Sequence, residues 1–68
     1  MQGFYRHFKG NVYEVIATAL HSETKEQMVV YKSTTGDQGI WVRPMSMWNE
    51  VVVHNGKTLP RFAQVNEK

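Results

Sequence analysis

Three histidines, three arginines, two tryptophans and a glycine-flanked aspartate are the residues of this 68-residue chain whose types could do chemistry. They are densest in residues 36–48, where Gly36, Asp37 and Gly39 lead into Trp41, Arg43, Pro44 and Trp48. His7, Asp37 and Ser22 supply the residue types of a hydrolytic triad. A triad is recognised by its geometry, however, and the chain carries no nucleophile elbow or oxyanion motif. Asp37 is read more simply as a turn cap, its carboxylate accepting from neighbouring amides, than as a base or a cation ligand. His7, His21 and His54 lack ligand-type spacing and cysteine is absent, so neither a zinc site nor a thiolate nucleophile is expected. No cofactor and no reaction are expected.

Binding is better supplied with residues. Trp41 and Arg43 are two positions apart, which on a strand puts both on one face, where a guanidinium can stack on an indole. Arg6, Lys9 and Arg61 each adjoin an aromatic residue, an interleaving of charge and ring that single-stranded nucleic acid binders use. The candidate binding residues are therefore Tyr5 and Trp41 for stacking and Arg6, Lys9, Arg43 and Arg61 for phosphates, with His7 and Asp37 beside them. The same aromatics could instead be core residues with solvated neighbours. RNA or single-stranded DNA is the expected partner. The alternative is a protein partner, held as a peptide in an aromatic groove or as a second copy at an unpaired strand edge.

The elements that must position these residues are short strands. Val12–Leu20 alternates, with Tyr13, Val15, Ala17 and Ala19 as one apolar set, and the two alanines suit the inside of a small curved sheet. Residues 21–27 are polar and read as a loop. Residues 28–33, rich in β-branched and aromatic types, form a second strand, and 40–43 a short third. Pro44 has no amide hydrogen for a ladder, so 44–49 is predicted to be one helical or 3₁₀ turn that tucks Met45 or Trp48 inward. A fourth strand over 50–54 meets Asn55 and Gly56, the pair that favours a two-residue type I′ hairpin, and 57–59 returns as a fifth. Residues 3–10 fit neither period and read as an irregular or single-turn lead-in. Residues 64–68 read as a polar tail.

A chain of this length forms one domain and buries only about 60% of the surface exposed by its unfolded form. Eight basic against six acidic side chains leave a net charge of +2, which permits a polyanionic partner without requiring one. No apolar run approaches the ~18 residues of a membrane helix, and the opening residues lack the apolar run of a signal peptide. The expected setting is the cytoplasm, as a monomer or weak homodimer. Short strands without a convincing helix predict an all-β fold, a small five-stranded barrel of the Src-homology-3 type, with an oligonucleotide/oligosaccharide-binding barrel as the alternative.

The motifs also carry a resemblance. Residues 5–11 (Tyr5 through Asn11), His21 to Thr24, Val29 to Tyr31, Gly36-Asp37 with Gly39 to Pro44, and Pro60-Arg61-Phe62 occur in an order similar to that of the small bacterial family called domain of unknown function 1653. The resemblance spans 5–62. It implies a stand-alone Src-homology-3-like barrel with no assigned activity. Thr35 and Gln38 depart from the aromatics usual near those positions in the family, which thins any stacking surface.

Overall fold

The computed structural model describes residues 2–36 and 39–65. The described chain is all-β, with one short helix: β1 (Gly3–His7), β2 (Val12–Leu20), β3 (Gln27–Ser33), β4 (Ile40–Pro44), α1 (Met45–Trp48), β5 (Val51–His54), β6 (Lys57–Pro60) and β7 (Phe62–Val65). The first four strands and the last form an antiparallel sheet in the order β4-β3-β2-β1-β7, and β5 and β6 form a separate two-stranded hairpin.

Where five strands are expected, seven occur among the described residues, and both additions lie toward the ends of the chain. Residues 3–7 form β1 because that segment lies between β2 and β7 with partners on both sides. Its two faces are both half-covered, Phe4 on one and Tyr5 and His7 on the other, so the polar alternation that marks a strand is missing. After the break at Arg61 the chain resumes as β7, so Gln64 and Val65 pair with Tyr5 and Phe4 instead of forming a tail.

A register shift between Val15 and Ala17 divides β2. Val15 stands opposite Tyr31 on the core face, whereas Ala17 stands opposite Val30 and is exposed. The bulge inserts one residue and reverses the phase of the strand, so Ala17 and Ala19 leave the interior that alternation alone assigns them. The short helix behaves as its sequence predicts: it follows Pro44 and drives Trp48 inward to 2% exposure.

Val15, Val29, Tyr31, Trp48 and Phe62 form the core, with Tyr5, Tyr13 and Met45 packed against it. Its centre is a parallel stack of Trp48 on Phe62, ring centroids 3.7 Å apart, with Tyr31 edge-on to Trp48 at 5.1 Å. In a flat sheet β4 and β7 would lie roughly 19 Å apart, at about 4.8 Å per strand. The guanidinium of Arg43 on β4 nevertheless sits 5.7 Å from the ring centre of Phe62 on β7. The sheet therefore curls until its two edge strands face each other across the aromatic stack, although no ladder joins them.

Candidate functional site

Curling brings together cations that are far apart in the chain. Arg43 and Trp41 stand opposite Val29 and Tyr31, so both lie on the core-facing side of β4. There Arg43 covers the edge of the core over Phe62, while Trp41 remains 49% exposed. His7, on the same side of the sheet, meets Phe62 edge-on at 5.0 Å and Phe8 at 4.5 Å. Phe8 in turn carries the Lys9 ammonium 5.9 Å from its ring centre and meets the His54 imidazole at 5.4 Å. Such cation–ring contacts are each worth about 0.5–1 kcal/mol at an exposed site.

The turn after β1 fixes Lys9. The Gly10 amide donates to the His7 carbonyl at 2.7 Å, and the Lys9 amide donates to His7 Nδ1 at 3.1 Å. That second bond places the proton of the neutral imidazole on Nε2. Arg61 is anchored from both sides: its amide donates to the Glu50 carbonyl at 2.8 Å, its carbonyl accepts from the Phe8 amide at 2.9 Å, and its Nη2 meets Glu50 Oε1 at 2.8 Å.

The cluster is electropositive. Burial pushes the His7 imidazole below its ordinary value of 6.5, and the charges of Arg61, Arg43 and Lys9 push it the same way. Glu50 answers one of these three charges. Nε of Arg43 and Nε of Arg61 are buried with no acceptor among the described residues. A guanidinium with an unmatched buried donor is costly and calls for an explanation, and a strong acceptor is the natural complement.

Four of the sequence-derived candidates, His7, Lys9, Arg43 and Arg61, thus converge. Tyr5 does not join them as a stacking surface, because it packs edge-on against Trp48 at 5.6 Å as part of the core. Arg6 stands opposite Ala63 on the other face of β1, outside the cluster, where it lines the neighbouring groove. Trp41 shares a face with Arg43 without touching the rings that hold the cluster together. Asp37 lies outside the described residues. Ser22 and His7 lie beyond opposite ends of the nine-residue β2, a span of about 25 Å at ~3.3 Å per residue, so they cannot act on one substrate atom.

Phe8 and Phe62 are the residues of the candidate site that sequence reasoning passed over. Each adjoins a basic residue, but only the pairing of β1 with β7 brings Phe62 to the histidine that Phe8 follows in the chain. Beside them, Arg6, His7, Phe8, Leu59, Pro60, Ala63 and Val65 line an open groove of about 250 Å³. That is smaller than the ~300–1,000 Å³ of typical small-molecule sites.

Comparison with known proteins agrees with this architecture. The family model described as "Protein of unknown function (DUF1653)" matches residues 3–64. The crystal structure of a protein belonging to that family, from Bordetella bronchiseptica, is similar to this chain with a TM-score of 0.91 and 36% identity, over 100% of this chain and 90% of that one. None of the curated proteins matches.

Proposed function

The chain belongs to the DUF1653 family of proteins of unknown function, and from that premise we propose that it is a binding module for single-stranded nucleic acid and catalyses no reaction. The observation that carries this reading is the convergence of Arg43, Arg61, Lys9 and His7 around Phe62 and Phe8, with Glu50 as the one carboxylate paired to them among the described residues. Phosphates satisfy such a cluster, because each supplies acceptor oxygens with negative charge. The half-buried ring of Phe8 and the adjoining groove offer a base one apolar face and a shallow recess. A groove of this size holds part of a polymer better than a whole small-molecule substrate. We read the curled sheet and its hairpin as an open form of the Src-homology-3-like barrel.

Fluorescence anisotropy of an end-labelled mixed-sequence RNA or DNA oligomer, titrated at several salt concentrations, tests the proposal. Three phosphate contacts at about −0.7 each predict a log–log salt slope near −2. Arg43→Ala should weaken binding several-fold and flatten the slope by about 0.7, since Arg43 has no carboxylate partner among the described residues to lose. Lys25→Ala, in the loop at the far end of β2, should change the slope less. Failure of every oligomer to bind at low salt sinks the proposal, as does equal binding by wild type and Arg43→Ala.

A further inference from the structure

The edge of the sheet at β4 has an unusual composition. Ile40, Trp41 and Val42 are consecutive and 65%, 49% and 60% exposed, so three large apolar side chains stand at one strand edge. The ladder decides which backbone groups lie there with them. Thr34 donates to the Val12 carbonyl at 3.2 Å, which makes the opposed Thr34 and Val12 a hydrogen-bonding pair, so alternate residues of β3 bond to β2. Tyr31 and Val29 therefore bond to Trp41 and Arg43, their partners on β4. The amides and carbonyls of Ile40 and Val42 point the other way, to the open side of the sheet, and no backbone hydrogen bond between described residues reaches them there.

We infer that β4 is a homodimer interface at which two copies of this chain join their sheets edge to edge. The occupant is a second copy because the strand is complementary to itself in one register. Antiparallel pairing centred on Trp41 sets Ile40 of each copy opposite Val42 of the other. All four outward groups on each strand are then used, in four hydrogen bonds, and Pro44, which has no amide hydrogen, is not called upon as a donor. Centring the pair on Val42 instead opposes Ile40 to Pro44 and leaves both Ile40 carbonyls without a donor.

In the favoured register the Ile40 and Val42 side chains of both copies form one apolar patch on the outer face. On the inner face the two Trp41 side chains meet as a non-hydrogen-bonded pair with Cα atoms about 4.5 Å apart, the closer of the two antiparallel spacings. An edge left open would invite uncontrolled pairing, and natural edges are blunted by charges, bulges or cover. This one has none of these between Ile40 and Val42, and a closed two-fold contact protects it. None of these three residues touches the rings of the cationic cluster.

Sedimentation velocity over a wide concentration range, with Val42→Lys as the comparison, tests the interface. The weight-average mass should rise from 7.9 kDa to roughly twice that for the wild type and stay at the monomer value for Val42→Lys, whose ammonium would face Ile40 of the other copy. The change is at an exposed position, so circular dichroism should be the same for both at low concentration. The register is tested separately. Cysteine is absent from the chain, so Trp41→Cys carries one thiol, placed at a spacing that a disulfide can bridge. Mild oxidation should convert it to a covalent dimer far faster than Val53→Cys, an exposed control on the hairpin. A monomer at every concentration, a dimer indifferent to Val42→Lys, or equal cross-linking by the two cysteine variants overturns the inference.

Discussion

His7 is the residue at which packing and charge meet. Burial and three neighbouring cations hold its imidazole below 6.5, with the Lys9 amide on Nδ1 adding a bond that protonation at that nitrogen would break. The unfolded chain takes up this proton near pH 6.5, whereas the folded chain does so only at lower pH. Between the two values the unfolded state binds more protons, so stability is fully present above about pH 6.5 and is lost as pH falls toward the folded pKa. Melting temperature against pH should therefore decline more steeply for wild type than for His7→Gln across that window. A bound polyanion acts in the opposite sense. Phosphates beside His7 favour the imidazolium, so oligonucleotide affinity should rise as pH falls through the same window, and His7→Gln should abolish the rise. Parallel profiles for the two proteins would separate His7 from the site.

At the scale of elements, the β5–β6 hairpin is the most local unit. Asn55 and Gly56 have φ of 54° and 77°, the left-handed pair that a type I′ turn demands. Val51 and Val53 are 66% and 76% exposed, and the hairpin is tied back through the Glu50–Arg61 bonds and the ring contact of His54 with Phe8. Gly56→Val forces a β-branched residue to positive φ and should cost about 1 kcal/mol or more. The loss should be local: hydrogen exchange should quicken in residues 51–60 while the β2–β3 ladder stays protected. Uniform exchange in the variant would mean that the hairpin folds only with the sheet. The turn was legible in two letters of sequence because its conformation is set by the residues that make it. β1 and β7 were not legible, since β1 is a strand by virtue of its partners β2 and β7, and β7 by virtue of β1.

The whole molecule depends on few residues. Its buried core holds five side chains among the described residues, three of them aromatic, and a 68-residue domain has only about 3–10 kcal/mol of stability to lose. Trp48 is the largest of the fully buried side chains. It stacks on Phe62 and touches Tyr5 and Tyr31. Trp48→Ala should cost about 3–5 kcal/mol, enough to leave much of the chain unfolded at 37 °C by circular dichroism. A variant melting within a few degrees of wild type would mean that the core lies elsewhere. The same stack supports the candidate site, since Arg43 and His7 both rest on Phe62, so that site and the core share a ring.

Sequence alone determined the parts whose conformation depends on near neighbours: the all-β character, the strands β2 to β4, the helical turn after Pro44 with Met45 or Trp48 inside, and the hairpin at Asn55-Gly56. It also identified the three cations that converge, Lys9 and Arg61 as residues beside aromatics and Arg43 as a neighbour of Trp41 on one strand face. Only the tertiary structure decided which face each of them occupies. Arg6 and His7 are adjacent in the chain, yet the pleat of β1 sends them to opposite sides of the sheet, and one inserted residue in β2 turns Ala17 and Ala19 outward. Arg43 and Phe62 are brought together by the curl of the whole sheet, and curl is the sum of small twists over every strand between them. No local signal records that sum.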